Sequence, residues 1–267
     1  MTAPALPEQT PDAARIVVKV GSSSISGDKA GQVVPLVAAL AAAHARGTEV
    51  VLVSSGAIAT GMPHLRLRDR PTDLAVQQAA AAVGQNLLIK RYQEQLDGFG
   101  IVAGQVLLTA GDLENPKHRE NAERALDTLL ALRILPIVNE NDTVATHEIR
   151  FGDNDRLAAL VAELIGADLL VLLSDVEALY TRPPGEPGAE PIPFVAAGDP
   201  LAGVIVGESD TGVGTGGAAT KVAAARHAAA AGIAVLLTAT EHVARALEGD
   251  TVGTWFEPAA DAEAAAG

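Results

Sequence analysis

The sequence predicts an α/β fold, a three-layer sandwich with a mainly parallel central sheet, and three observations carry that expectation. Short apolar runs rich in Val, Ile and Leu alternate with helical stretches from Ile16 to Leu237. The runs show little polar alternation, as strands buried on both faces do, and their spacing by helices implies crossover connections between parallel strands. Small and polar residues gather just after the runs, at the strand ends where open α/β sheets bind their ligands.

In chain order, IVVKV (16–20) is the first strand, a helix over 28–46 closed by Gly47 follows, and EVVLV (49–53) is the second strand. A helix over 72–96 leads to IVAGQVLL (101–108), one over 118–132 to ILPIV (134–138), and one over 154–165 to DLLVLL (168–173). The last pair is a helix over 217–231, ended by Gly232, and IAVLL (233–237). Trp255 in GTWFE is expected as a packed strand residue. The Pro- and Gly-rich TRPPGEPGAEP (181–191) suits an exposed loop rather than a domain boundary. Pro4, Pro7 and Pro11 mark residues 1–14 as a mobile tail, 15–257 form one domain, and 258–267 are an Ala-rich tail.

Composition narrows the function. The 267 residues include 19 Lys plus Arg against 33 Asp plus Glu, a net charge of −14, which argues against a nucleic-acid partner. A hydrophobic content of 48% is ample for a core and excludes disorder for most of the chain. The absence of cysteine removes disulfide scaffolds, thiolate zinc sites and cysteine nucleophiles. No secretory leader and no run of the ~18 apolar residues a membrane span needs can be read, so a soluble cytoplasmic protein without a membrane partner is expected.

The residues after each strand carry the chemistry. Lys19 is followed by Gly21, Ser22, Ser23 and Ser24. A lysine ending a buried strand is costly unless it meets an anion, and the turn supplies backbone and hydroxyl donors for a phosphate; a snorkelling lysine beside an ordinary turn is the alternative. The second strand runs into SSGAIATG (54–61), whose small residues let backbone and a helix N-terminus approach a ligand, or simply make a turn. After the fourth come Asn139, Glu140, Asn141, Asp142 and Thr143, then Gly152, Asp153, Asn154 and Asp155. Asn can donate to a carboxylate and accept from an ammonium, and Asp142 can pair with an amine, a set that suits an amino acid. Asp153 or its neighbour is expected to cap the following helix, with Asp155 doing more than capping. Ser174 and Asp175 end the fifth strand as contacts for a nucleotide or for the lysines. The loop 211–217 feeds a helix that carries Lys221 in its first turns, a phosphate cradle in principle but neither a Walker A loop nor a dinucleotide fingerprint. Two lysines at one sheet edge, in a chain whose global charge repels anions, form a stronger signal than any single loop.

VVKVGSSS, VSSGAIATG, NENDTVAT, FGDND, SDVEALYT and GVGTGGAATK follow one another in the order and approximate spacing of the amino acid kinase family. Over residues 15–257 the chain resembles in particular the glutamate 5-kinases, with NENDTVAT and SSGAIATG setting it apart from aspartokinase, acetylglutamate kinase, uridylate kinase and isopentenyl phosphate kinase. The resemblance implies an enzyme that phosphorylates the side-chain carboxylate of L-glutamate with ATP and Mg2+, the first step of proline biosynthesis. It implies that Lys19 and Lys221 neutralise the transferring phosphoryl group and that Asp155 orients both. It further implies that Ser55, Asp142 and Asn154 hold glutamate. The nucleotide contacts it implies are Lys19, Ser174, Asp175, Thr215, Gly216, Gly217, Ala218, Ala219, Thr220 and Lys221, with no metal held directly by the protein. Members commonly form dimers or tetramers and are inhibited by proline. Many carry a C-terminal domain resembling RNA-modification modules, so a short form without it is expected. Ala218 stands where Met is frequent and Ser174 where Thr is, changes that should spare the chemistry.

Two rivals remain: a kinase of another small carboxylate or phosphate substrate on the same fold, and a non-catalytic nucleotide or amino-acid sensor. Both lysines and Asp155 speak against the sensor, which has no phosphoryl group to stabilise. A metal hydrolase lacks support because His44, His64, His118, His147, His227 and His242 show no paired ligand spacing.

Overall fold

The structure is a computed structural model that describes residues 13–145, 154–202, 204, 217–250 and 252–260. The chain begins with β1 (Arg15–Val20), two 3-10 segments, α1 (Val33–Ala45) and β2 (Glu49–Ser54). There follow α2 (Ala57–Gly61), α3 (Leu74–Leu96), β3 (Ala103–Leu108), α4 (Ala110–Glu114), α5 (Pro116–Ala131) and β4 (Leu135–Glu140). Next come α6 (Asn154–Leu164), β5 (Leu169–Ser174), the short strands β6 (Leu179–Tyr180), β7 (Pro191–Ile192) and β8 (Phe194–Val195), and α7 (Ala218–Ala230). The described chain ends through β9 (Ala234–Ala239), α8 (Val243–Leu247) and β10 (Thr254–Phe256).

Eight strands form one sheet in the order β3-β4-β2-β1-β5-β9-β10-β8, while β6 and β7 pair as a small hairpin apart from it. From β3 to β9 every neighbouring pair is parallel, as the uninterrupted apolar runs predict. β10 pairs antiparallel to β9 and carries Trp255, buried as expected. So short a strand offers no periodicity to read from sequence.

Alternation along each strand divides the apolar residues between two cores. In β1, Val17 joins a core on the side of α5, α6 and α7, whereas Ile16, Val18 and Val20 join the core on the side of α1, α3 and α8. By the same alternation Lys19 shares a side with Val17 and so faces α6 and α7. β2 behaves alike: Val51 and Val53 belong to the first core, and Ser54 turns to the other side, where its hydroxyl is 2.9 Å from the Tyr92 hydroxyl on α3.

Element ends differ from the sequence expectations in informative places. Residues Gly27–Gln32 form a 3-10 segment, so the helix expected from 28 begins at Val33. Gly31 interrupts helix propensity there. The fourth strand extends to Glu140, so Asn139 and Glu140 lie inside a buried strand rather than after it. The glycines of SSGAIATG divide by role. Gly56 takes φ 98°, and a Cβ there would stand 3.3 Å from Ser22 Cβ, so its turn packs directly on the turn after β1. Gly61 and Gly84 make the crossing of α2 and α3: an added Cβ would come 1.9 Å from the Ala80 carbonyl oxygen and 1.7 Å from that of Ala57. Part of the small-residue signal therefore belongs to helix packing. Residues 1–12 and 261–267 of the two tails lie outside the described residues, while the Ala14 carbonyl accepts from the Glu49 amide and the Ala259 amide donates to Ala229. Among the described residues no helix is long and apolar enough to cross a membrane.

Candidate active site

The carboxyl ends of β1, β2, β4 and β5 meet the N-terminal turns of α6 and α7, and the polar residues of the chain's interior collect there. Lys19, Asn139, Glu140, Asn154, Asp155 and Lys221 are all buried. A strand, a helix start and a second helix start supply the central three. Lys19 Nζ lies 2.5 Å from Asp155 Oδ1, and Lys221 Nζ lies 3.0 Å from Asp155 Oδ2. The Thr220 hydroxyl donates to the Gly217 carbonyl at 2.9 Å in the first turn of α7, with Asp155 Oδ2, at 3.2 Å, as the alternative acceptor for its one proton.

Two ammonium groups thus straddle one carboxylate in a water-poor setting. Buried charge persists only with partners, and here each ammonium has the same carboxylate as one. The turn after β1 runs beside this cluster: a Cβ at Gly21 would stand in ordinary contact, 3.8 Å from Lys19 Nζ.

Beside this cluster, Asn154 bridges two strand ends. Its Nδ2 donates to the Ser54 carbonyl and to Asn139 Oδ1, each at 2.7 Å. Both amide protons are thereby spent within the protein. Asn139 Oδ1 accepts a second bond from the Glu140 amide at 2.9 Å, whereas its Nδ2 is buried with no hydrogen-bond partner among the described residues. A buried donor without a partner is rare in native proteins and calls for an acceptor from outside. Asn139 did not stand out from its polar neighbours in sequence; only its place inside β4 singles it out.

Ser55 continues β2 into the turn at Gly56, its amide donating to the Val20 carbonyl at 3.2 Å, so the turns after β1 and β2 are stitched together. Asp142 is half-buried just beyond β4. Ser174 and Asp175 end β5: the Ser174 carbonyl accepts from Thr240 Oγ1 at 3.2 Å, and the Asp175 carboxylate is occupied by side chains from the first strand's turn. Gly217, Ala218, Ala219 and Thr220 open α7 directly before Lys221. Thr215 and Gly216, like Gly152, Asp153 and His147, lie outside the described residues. Among the described residues no group of three or more His, Asp or Glu side chains is arranged to hold a metal. The Glu163 carboxylate on α6 binds His227 at 2.9 Å and Arg119 at 3.1 Å, away from the lysines.

The sequence profile described as the Amino acid kinase family matches residues 14–239. A curated glutamate 5-kinase from Clavibacter sepedonicus is 76% identical over 92% of this chain and 95% of its own length. One from Leifsonia xyli subsp. xyli is 71% identical over 94% of this chain and 93% of its own. One from Streptomyces coelicolor is 57% identical over 92% of this chain but 67% of its own length. Among solved structures, carbamate kinase from Giardia lamblia bound to AMP-PNP superposes with a TM-score of 0.68 at 16% identity, covering 93% of this chain and 99% of that one. Uridylate kinase from Archaeoglobus fulgidus superposes with a TM-score of 0.59 at 15% identity, covering 90% and 99%; both likenesses speak for the fold. The profile match over most of the chain and the high identity to curated relatives agree with the sheet order and the strand-end cluster: the chain belongs to the amino acid kinase family, with the glutamate 5-kinases as its near relatives.

Proposed function

We propose that the chain is a glutamate 5-kinase, transferring the γ-phosphoryl group of ATP to the side-chain carboxylate of L-glutamate to give L-glutamyl 5-phosphate and ADP, the step that opens proline biosynthesis. The observation that carries the chemistry is the Lys19–Asp155–Lys221 cluster, two ammoniums held by one buried carboxylate.

A carboxylate oxygen of glutamate attacks the γ-phosphorus, and the bond from that phosphorus to the β–γ bridging oxygen breaks, leaving ADP. The acceptor is already ionised near pH 7, so no residue must remove a proton. What the protein supplies is alignment and charge: Lys19 and Lys221 stabilise the equatorial oxygens of the transferring group, and Asp155 sets the spacing of the two ammoniums. Mg2+ would arrive with ATP and would supply charge neutralisation at its phosphates, as is usual for this ion.

Glutamate recognition falls to the neighbouring polar group. Asn154 Oδ1 and the Asp142 carboxylate accept from the α-ammonium, and Ser55 donates to a carboxylate. Asn139 joins this set, its unpartnered Nδ2 donating to a carboxylate oxygen. The nucleotide lies across the ends of β5 and β9, against Ser174, Asp175 and the 215–221 segment, with the first turn of α7 facing the phosphates. An oligomer, feedback by proline and a cytoplasmic setting accompany this reading through the resemblance.

Substrate identity is tested by incubating the protein with ATP, Mg2+ and hydroxylamine plus L-glutamate, L-aspartate or N-acetyl-L-glutamate, and measuring hydroxamate and ADP. Glutamate alone should yield both. Product from another acceptor but not from glutamate would move the assignment elsewhere in the family, and ATP binding without turnover on any acceptor would favour a sensor.

A further inference from the structure

Lys29 has no part in the machinery above. It sits half-exposed in the 3-10 segment Gly27–Gln32, with its Nζ 2.7 Å from Asp175 Oδ1. The same carboxylate accepts from Ser24 Oγ at 3.1 Å on Oδ1 and from Ser23 Oγ at 2.8 Å on Oδ2. Three donors from the segment after β1 therefore converge on one acid after β5. Burial alone would raise the Asp175 carboxyl, but the hydrogen bonds from Lys29, Ser23 and Ser24 hold it below the usual carboxylate range, so it is an anion near neutral pH.

That anion stands in an awkward place. Asp175, Lys29, Ser24, Ser174, Thr240 and His242 line an open cleft of about 270 Å3 beyond the ends of β5 and β9, where a nucleoside triphosphate is to lie. An unmasked carboxylate would repel the polyphosphate, and like-charge juxtaposition is penalised more than the matching pair is rewarded. As a contributor to folding the pair counts for little, because both side chains are solvated. Its place at the cleft gives it another role.

We propose that Lys29 is a positioning residue for the nucleotide: it cancels the charge of Asp175 at the mouth of the cleft and ties the Ser22–Ser24 turn, next to Lys19, to the end of β5. Affinity for the triphosphate then depends on Lys29, and the transfer step and glutamate binding do not. The inference rests on the ATP reading of the cleft.

The test uses the full chain and four proteins: unmodified, Lys29→Met, Lys29→Arg, and Lys29→Met combined with Asp175→Asn. For each, the ATP dissociation constant is measured by calorimetry, alongside kcat, both KM values and Tm. Lys29→Met should weaken ATP binding and raise its KM by about five- to ten-fold, the size of one close charge contact near water, with kcat and glutamate KM changed less than about two-fold. Lys29→Arg should recover most of the loss. The double variant should recover part of it, because the unmasked anion is gone; a purely structural prop would show no such recovery and would lower Tm. Unchanged ATP affinity in Lys29→Met, equal rises in both KM values, or no recovery in the double variant would overturn the proposal. An unmodified protein that binds ATP and makes product while Lys29→Met behaves identically sinks the Lys29 role alone, whereas an unmodified protein that binds no ATP sinks the nucleotide reading with it.

Discussion

The side chains of Lys19, Asp155 and Lys221 are 2, 0 and 10% exposed, whereas those of Lys29 and Asp175, at the same end of the sheet, are 51 and 35% exposed. Both groups are lysine–aspartate contacts with nitrogen–oxygen distances of 2.5 to 3.0 Å. Distance does not separate them; solvent does. In the buried group the desolvated charges offset one another, so removing the shared carboxylate costs folding energy. Water covers the loss in the exposed group, and what breaking it changes is the field that a ligand meets.

The largest effect expected from this contrast is on Asp155. Asp155→Asn keeps the shape and removes the carboxylate that both buried ammoniums contact, so unfolding free energy measured in urea should fall by about 3–5 kcal/mol, and turnover should be lost with it. A stability close to that of the unmodified protein would mean that water reaches the cluster and that the contrast is false. Of similar scale is the rigid platform beside the cluster: Gly84→Ala puts a methyl against the Ala57 carbonyl and should cost about 3 kcal/mol, at the upper end for overpacking. A smaller cost would show that α2 and α3 can separate and that the turn carrying Ser55 is looser than the crossing implies. Asn139→Ala removes the unpartnered donor together with the Oδ1 that accepts from Asn154 and from the Glu140 amide; it should cost about 2 kcal/mol of stability for the buried donors left unsatisfied and raise the glutamate KM as well. A large stability loss with unchanged glutamate saturation would return Asn139 to a structural role. The smallest effect is on the exposed pair, where Lys29→Met should change unfolding free energy by less than about 1 kcal/mol; a larger loss would place the pair among the structural contacts.

The sequence makes the sheet legible because parallel strands buried on both faces leave apolar runs that no surface requirement interrupts, as β1, β2 and β5 show. Lys19 stands out for the same reason, as a charge at the end of such a run. Asp155 and Lys221 fall next to helix starts where glycine and polar residues break the pattern. Other features leave weaker marks. The crossing at Gly61 and Gly84 pairs residues far apart in sequence, so a small residue there reads equally well as a ligand approach. Asn139 and Glu140 resemble loop residues because their polarity hides the continuation of β4. Lys29 and Asp175 are ordinary surface types, and only the fold brings the turn after β1 to the end of β5. The two-residue strands β6, β7 and β8 are too short to carry a period.

On the proposed function, the Lys221 ammonium holds charge for the transferring phosphoryl group rather than for the fold. Lys221→Met tests this most directly, since the Lys19–Asp155 contact remains and one of the two ammoniums is removed. With ATP and glutamate saturating, kcat for glutamyl hydroxamate formation should fall by about 100- to 1,000-fold, while Tm stays equal or rises. A kcat near that of the unmodified protein, or a loss of activity that merely follows a fall in Tm, would contradict it.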